Sequence, residues 1–274
     1  MTGQGPELFR DLGRPGKHEV ELASLFDGRC RFEGSQPVLS TPLLLIAFTN
    51  RSGSSYFGEL LSRSGSFGGG GEFLNAEVVA EMRRETGARS LPEHLEALAR
   101  RSCEAGKVFA VKASWSQLAM IARWRLGEMF PGLRVIHVYR DDVVAQAVSF
   151  SIALQTGRWN ARQAARAAPK AEPLYREREL VSILEAQAAD NARIRAVTAA
   201  MRWPRMLVAY EALTVDPAHH VQQSQRFCGI DPLPFVSGPT DHKRQANALN
   251  NEFTDRLKEA LAVHTLGHGT RANA

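Results

Sequence analysis

Short apolar runs alternate along the chain with longer segments in which apolar residues recur at helical spacing. Such runs predict buried strands, because a strand covered on both faces reads as a continuous apolar stretch. The four predicted strands are residues 42–48, 108–111, Leu133–Tyr139 and 206–209. The predicted helices are residues 54–64, 91–104, 117–129, 143–155, 179–201 and 251–266. The alternation predicts an α/β fold with a central parallel sheet flanked by helices and right-handed crossovers.

The first forty residues differ from the rest, being polar and rich in glycine and proline, with one short helix predicted near residues 19–26. We interpret residues 1–40 as an N-terminal extension of unknown role, 41–268 as one large domain and 269–274 as a C-terminal tail. No basic stretch followed by an apolar one opens the chain, so we expect no secretory signal. The alanine-rich residues 161–173 are a candidate for a mobile segment over a site.

Composition narrows the class of protein. No apolar run approaches the roughly 18 residues of a membrane span, so we expect no transmembrane segment. The three cysteines are widely spaced, which argues against a disulfide framework or a zinc site and favours a reducing cytoplasm. The net charge is +5, but no basic run is interleaved with aromatic residues, so we expect no nucleic-acid partner. We expect most of the excess basic residues to lie on solvent-exposed faces of helices. A small polyanionic cofactor would need only a few of these cations.

The first predicted strand runs directly into Thr-Asn-Arg-Ser-Gly-Ser-Ser, residues 49–55, and then into a helix. Backbone N–H groups at a helix N-terminus bind anions, and the helix dipole favours negative charge there. Gly53 lets a ligand approach the backbone closely, and the Arg51 guanidinium adds a positive charge with several hydrogen-bond donors. Ser54 and Ser55 can cap the helix or donate hydrogen bonds from their hydroxyls. The competing interpretation is a tight strand–helix turn without a ligand. The loop lacks the lysine of a nucleotide-triphosphatase loop, and no later strand ends in an aspartate placed to hold magnesium.

A second candidate anion site follows the strand Leu133–Tyr139. The chain continues with Arg140 and the aspartates Asp141 and Asp142, then enters a helix that carries Ser149. Arg140 and Ser149 are candidates to reach one phosphate, while the alternative is that the aspartates cap the helix and Ser149 is an ordinary helix hydroxyl. Both candidate sites lie at the carboxyl ends of parallel strands, where open α/β sheets bind ligands.

Together, Thr-Asn-Arg-Ser-Gly-Ser-Ser and Tyr-Arg-Asp-Asp-x-x-x-Gln-Ala-Val-Ser resemble the 5′-phosphosulfate loop and the 3′-phosphate motif of sulfotransferases that use 3′-phosphoadenylyl sulfate (PAPS). Within that superfamily the chain is most similar to the bacterial trehalose 2-sulfotransferase type, which includes carbohydrate and lipopolysaccharide sulfotransferases. Further agreeing stretches are residues 71–75, 111–115, 155–159, 210–213, 244–246 and 250–252, in the family's order over roughly residues 42–260. The resemblance implies a P-loop-like three-layer fold.

The resemblance also implies a role for each matching residue of the donor site. The residues that would hold the 5′-phosphosulfate are Arg51, Ser52, Gly53, Ser54 and Ser55. Arg140 and Ser149 would hold the 3′-phosphate, and Arg244 and Gln245 lie where the family closes a late loop over the nucleotide. PAPS would be the donor and PAP (adenosine 3′,5′-bisphosphate) the product.

For the chemical step, Glu72 matches the family's general base, and Arg51 with Lys112 would stabilise the charge of the transferred group. Sulfuryl transfer needs in-line geometry and charge stabilisation, which cations and backbone N–H groups supply, so no metal is required. A positioned carboxylate contributes roughly 10²- to 10⁴-fold as a general base towards a sugar hydroxyl. The competing interpretation of Glu72 is a solvated residue that caps the helix starting near Asn75.

Three departures from the family pattern affect the expected pockets. Asp141 stands where the family has a basic residue, so weaker or rearranged 3′-phosphate binding is expected. The glycines 68–71 before Glu72 replace bulkier residues and predict a loosened loop. Lys112 is followed by the small pair Ala113-Ser114, which predicts a reshaped pocket.

The sequence leaves the acceptor and the competing functions open. The resemblance implies a carbohydrate or glycolipid acceptor, without naming the hydroxyl, and since relatives form dimers a homodimer is a further expectation. One alternative is a kinase-like nucleotide phosphotransferase, which predicts dependence on ATP and magnesium. The other is a non-catalytic module that binds PAP or a glycan without turnover.

Overall fold

The structure is a computed structural model that describes residues 7–103, 106–159, 172–236, 238 and 248–266. The chain divides into two compact units, Met1–Tyr139 with Ala189–Thr240, and Arg140–Ala188 with Asp241–Ala274. The strands, all in the first unit, are β1 (Leu43–Phe48), β2 (Phe67–Gly71), β3 (Val108–Ala113), β4 (Leu133–Tyr139) and β5 (Arg205–Ala209).

The helices complete the two units. Those of the first unit are α1 (Glu7–Leu12), α2 (Lys17–Leu25), α3 (Ser54–Arg63), α4 (Ala76–Thr86), α5 (Leu91–Ser102), α6 (Trp115–Arg123), α9 (Tyr210–Val215) and α10 (Pro217–Phe227). The second unit holds α7 (Val143–Thr156) and α11 (Ala248–Leu266), and α8 (Glu177–Ala200) runs through both units. Among the described residues, no helix combines the length and the apolar character that a membrane span requires.

The sheet of the first unit is entirely parallel, with strand order β2-β3-β1-β4-β5. Because successive side chains of a strand point to opposite faces, β1 supplies both cores. Leu43 and Leu45 pack with side chains of α2, α4, α5 and α6 on one face, and Leu44 and Ile46 pack with α3, α9 and α10 on the other. This arrangement confirms the predicted three-layer α/β fold and the parallel sheet.

The predicted elements agree with the structure except in two places. All four predicted strands are present, with ends that differ by a few residues. The helix predicted over 117–129 is wrong at its end: α6 stops at Arg123, Arg125 adopts a left-handed φ of 55°, and a short 3₁₀ turn covers Leu126–Met129. The glycine run before Glu72, predicted to be a loosened loop, is strand β2. Most of the predicted mobile segment 161–173 lies outside the described residues.

The segment before β1 contributes to the core of the first unit. Leu22 and Phe26 are fully buried, and Glu19 is buried in an ion pair with Arg123 of α6. The helix predicted near residues 19–26 is therefore confirmed as α2, and it packs into the core of the first unit.

Two histidines of the first unit, His94 and His137, are fully buried. Their burial leads us to expect a smaller free energy of unfolding in mild acid. Burial is the main cause that lowers the pKa of both His94 and His137 from 6.5 to about 4, and neighbouring arginines contribute to the same shift, while at His137 a hydrogen bond with Asn191 opposes it. A depressed histidine pKa means that the unfolded chain binds more protons below pH 6.5, so the unfolding free energy falls between pH 6.5 and about 4. By pH 5 we expect a loss on the order of 2 kcal/mol for each histidine.

Urea unfolding at pH 7.5 and pH 5 measures this loss. The His94→Asn variant keeps a polar group near Thr86 Oγ1, which lies 3.1 Å from His94 Nδ1, but cannot titrate. We expect its stability to change about half as much as that of the natural chain between the two pH values. An equal change in both proteins would contradict the assignment to His94.

Candidate functional site

The turn between β1 and α3 is shaped by two residues with left-handed backbone, Arg51 with φ 65° and Gly53 with φ 89°. A Cβ on Gly53 would lie 2.2 Å from Cδ2 of Tyr210, so both the conformation and the close ring demand glycine. Sequence reasoning identified Gly53 but missed Tyr210, although residues 210–213 belong to the stretches that carry the resemblance.

The first turn of α3 keeps its backbone donors available. The N-cap is Gly53, with no side-chain hydrogen bond, and Ser54 and Ser55 are the first helical residues, so the expectation that they cap the helix is wrong. The opening N–H groups of a helix have no partner within it, which makes this end suited to an anion. Ser52 and Ser54 are buried and Ser55 is exposed. Ser52 Oγ has no hydrogen-bond partner among the described residues.

The glycines of β2 bring this strand unusually close to α3. A Cβ on Gly58 of α3 would lie 2.6 Å from the carbonyl oxygen of Gly70, and a Cβ on Gly70 would lie 2.8 Å from that of Gly58. Gly69 and Gly70 have φ near +90°, at 88° and 89°, where the register between β2 and β3 shifts. Such a bulge redirects the residues that follow it. The close contact and the bulge explain the glycines at 69 and 70, and at Gly68 a Cβ would lie 2.0 Å from the Ser102 carbonyl oxygen.

Lys112, Ser55 and Glu72 meet at the carboxyl end of the sheet. Lys112 Nζ donates to Ser55 Oγ at 2.8 Å and to Glu72 Oε1 at 2.7 Å. It also lies 4.5 Å from the centre of the Phe48 ring. Lys112 is 4% exposed, whereas the Glu72 side chain is 42% exposed and can be reached from solvent.

The contacts of the Lys112 ammonium group explain how it is stabilised while buried. An isolated buried cation is costly, but a carboxylate, a hydroxyl oxygen and the negative face of an aromatic ring each offset part of that cost. Ser55 Oγ accepts from the ammonium, so its own hydrogen is available to donate to an anion. Glu72 Oε2 takes no hydrogen bond from the described residues, which leaves that oxygen for an acceptor hydroxyl.

A tight turn carries Glu72 from β2 into α4. Asn75 N–H donates to the Glu72 carbonyl at 2.9 Å, and the Asn75 side chain caps α4 by accepting from Glu77 N–H at 3.0 Å. Gln117 Nε2 donates to the Leu74 carbonyl at 2.9 Å. Asn75 rather than Glu72 is the cap, so the competing interpretation of Glu72 as a capping residue is wrong.

The second predicted anion motif lies in the second unit, where Arg140 follows the last residue of β4 in the chain. Asp142 is the N-cap of α7, accepting from Ala145 N–H at 2.9 Å, and it pairs with Lys258 Nζ at 3.0 Å. Burial raises the pKa of Asp142, but the hydrogen bonds from Ala145 and Lys258 outweigh burial, so the pKa is lower than usual. Asp141 is exposed, and Ser149 is half-buried two turns into α7.

Two predicted ligands, Arg244 and Gln245, lie outside the described residues. Within the described part of the chain, no three histidine, cysteine, aspartate or glutamate side chains are grouped so that they could hold a metal ion.

An open parallel sheet with a turn after β1 that is suited to an anion, and a buried cation beside it, is typical of P-loop-like α/β proteins that transfer charged groups. The chain belongs to the Stf0 sulphotransferase family, whose family model matches residues 44–260. It is therefore a sulfotransferase. A search among curated proteins found no match.

Solved structures of sulfotransferase domains show some similarity to the fold. The sulfotransferase domain of the olefin synthase of Synechococcus PCC 7002 is 15% identical, with TM-score 0.48, covering 85% of this chain and 99% of that domain. A sulfotransferase from Alicyclobacillus acidocaldarius is 12% identical, with TM-score 0.45 and coverage of 82% and 94%. The sulfotransferase domain of the curacin biosynthetic pathway is 12% identical, with TM-score 0.47 and coverage of 82% and 98%.

Proposed function

We propose that this sulfotransferase transfers a sulfuryl group from PAPS to a hydroxyl of a carbohydrate or glycolipid, with Glu72 as general base. The observation that supports the proposal is the contact of one buried ammonium, Lys112 Nζ, with both Ser55 of the anion-binding turn and Glu72. A cation, a hydroxyl and an accessible carboxylate are thus in contact with one another, beside the first backbone N–H groups of α3, which have no acceptor within the helix. Membership of the sulphotransferase family favours this over the kinase-like and non-catalytic alternatives.

The turn after β1 has the chemistry that a phosphosulfate needs. The donor supplies a sulfuryl group joined through oxygen to a phosphate that becomes the leaving group. The first N–H groups of α3, the Ser55 hydroxyl and the Arg51 guanidinium would bind its charged oxygens. Arg140 and Ser149 remain the predicted ligands of the 3′-phosphate, and Arg244 and Gln245 the predicted late-loop contacts.

The chemical step balances with the residues present. As the acceptor oxygen forms its bond to sulfur, the sulfur–oxygen bond to the phosphate breaks, and the hydroxyl proton passes to Glu72. Lys112 stabilises the negative charge that grows on the leaving oxygen, and being fixed in advance it needs no reorganisation. Its contact with Glu72 Oε1 orients the carboxylate, so that Oε2 can face the acceptor.

The class of acceptor is inferred from the resemblance to carbohydrate sulfotransferases and not from contacts in the structure. The Glu72 side chain is 42% exposed, so an acceptor can approach it from solvent. A small metabolite is the competing acceptor. A cytoplasmic location and a homodimer are also part of the proposal, from composition and resemblance respectively.

Calorimetric titration with PAP, without metal, and in parallel with ATP and magnesium, tests the donor. We expect clear PAP binding and little response to ATP, because the turn lacks the lysine of a triphosphate loop. ATP binding without PAP binding would overturn the proposed donor.

The Glu72→Gln variant separates binding from catalysis in the same assay. Glutamine keeps an oxygen that can accept from Lys112 but is not a base, so we expect unchanged PAP affinity and a roughly 10²- to 10⁴-fold lower kcat. Glu77→Gln, four-fifths exposed at the start of α4, is the matched control and should behave like the natural chain. Full turnover by Glu72→Gln would exclude Glu72 as the base.

A further inference from the structure

Helix α2 lies before residue 44, where the family match begins, yet its side chains hold it within the first unit. Arg123 of α6 donates from Nε to Glu19 Oε1 at 2.9 Å and from Nη1 to the Leu12 carbonyl at 2.8 Å. With Leu22 and Phe26 fully buried, the helix has a fixed position and can serve as a support for its neighbours.

The start of α2 contacts both helices that follow the strands of the site. A Cβ on Gly16, the residue before α2, would lie 2.8 Å from Ser116 Cβ in α6, so glycine permits the close approach there. His18 Nδ1 accepts a hydrogen bond from Ala76 N–H at 3.3 Å, in the first turn of α4. α6 follows the strand of Lys112, and α4 follows the turn that carries Glu72.

The His18 contact supplies a partner that α4 otherwise lacks. Ala76 is the first residue of α4 and is buried, so its N–H has no acceptor within the helix and little access to water. The capping side chain of Asn75 is already used by Glu77 N–H. Glu21 Oε2 lies 3.6 Å from His18 Nδ1, which is beyond hydrogen-bonding distance.

The turn between Glu72 and Ala76 is therefore held from two sides. Gln117 fixes the Leu74 carbonyl from α6, and His18 fixes the Ala76 amide from α2. Within the turn, Asn75 N–H fixes the Glu72 carbonyl. Displacement of a reacting group by about 1 Å can cost roughly 100-fold in rate, so small movements of this turn matter.

We propose that His18 is a positioning residue for Glu72, and that α2 is thereby a functional part of the site. The inference rests on the proposed function of Glu72, but the His18 contact can be measured without turnover. It gives the segment before the family match a role in catalysis beyond its packing.

Two substitutions of His18 test the contact with a built-in comparison. His18→Asn places an amide oxygen where Nδ1 lies, whereas His18→Gln places it near the position of Nε2, so only asparagine keeps the acceptor for Ala76 N–H. Val20→Ala, on an exposed position of the same helix, is the matched control. Hydrogen exchange of peptides covering residues 72–80 should be faster in His18→Gln and unchanged in His18→Asn and Val20→Ala.

Turnover gives the second measurement, with sulfur-labelled PAPS and trehalose or another sugar that the natural chain accepts. We expect His18→Gln to lower kcat about ten-fold at unchanged PAP affinity and to melt at a lower temperature, because the buried Ala76 N–H loses its acceptor. His18→Asn should stay close to the natural chain in both measurements. Equal exchange in all four proteins, or faster exchange in His18→Gln with unchanged kcat, overturns the positioning role. Faster exchange in His18→Gln with no transfer from PAPS to any sugar by the natural chain overturns the proposed function and leaves the His18 contact in place.

Discussion

Replacing Lys112 with methionine should lower kcat by about three orders of magnitude while leaving the protein folded. Lys112 Nζ is the buried cation that contacts both Ser55 Oγ and Glu72 Oε1. Removal of one fixed charge-stabilising donor from an active site typically costs roughly 10²- to 10³-fold, and here Glu72 also loses the group that orients it. Methionine fills similar volume without a charge, and the Glu72 side chain, being 42% exposed, can be solvated once its partner is removed, so it is not left as a buried unpaired charge. Steady-state turnover and thermal unfolding measure the two effects.

Lys107→Met is the matched control for this variant. Lys107 immediately precedes β3 and Lys112 is near its end, so the two substitutions remove the same charge from opposite ends of one strand. Thr41 Oγ1 donates to the main-chain carbonyl of Lys107, a contact that the substitution keeps. We expect full turnover in Lys107→Met. Turnover of Lys112→Met within ten-fold of the natural chain would show that the ammonium does not act in the chemical step.

The contact between Lys112 and Glu72 could not be predicted from the sequence, although both residues were predicted to be catalytic. Their separation along the chain is 40 residues, and nothing in the pattern of apolar runs orders the strands. The observed order places β2 next to β3, so the end of one strand lies beside the end of the other. Strand order depends on how all the helices pack, which is a property of the whole fold.

The glycine strand β2 shows a different limit of sequence reasoning. Glycine is depleted in strands and has no side chain to give a periodic pattern, so the run predicted a loop. The structure explains the glycines by close contact with α3 at Gly58 and by positive φ at Gly69 and Gly70. In contrast, β1 and β4 were predicted correctly because a strand covered on both faces needs a continuous apolar run.

Replacing Gly53 with alanine should abolish tight PAP binding, which is the other large effect that the geometry predicts. The new Cβ would lie 2.2 Å from Tyr210 Cδ2, and alanine would have to keep a φ of 89°. The left-handed conformation alone costs about 1–2 kcal/mol, and the overlap forces either the turn or the ring to move. Because the N–H groups of α3 begin at this turn, we expect at least about a ten-fold loss of PAP affinity, measured by calorimetry.

Gly28→Ala separates backbone strain from displacement of the turn. Gly28 has a similar φ of 77°, but a Cβ there would meet nothing within 4 Å, and it lies just after α2, away from the turn that follows β1. We expect this variant to lose about 1 kcal/mol of stability and to bind PAP normally. In Gly53→Ala, the second change Tyr210→Ala removes the overlap but not the strain, so the double variant should bind PAP better than Gly53→Ala. Normal PAP binding by Gly53→Ala alone would show that the turn after β1 does not hold the donor, and the anion site would have to be sought elsewhere in the fold.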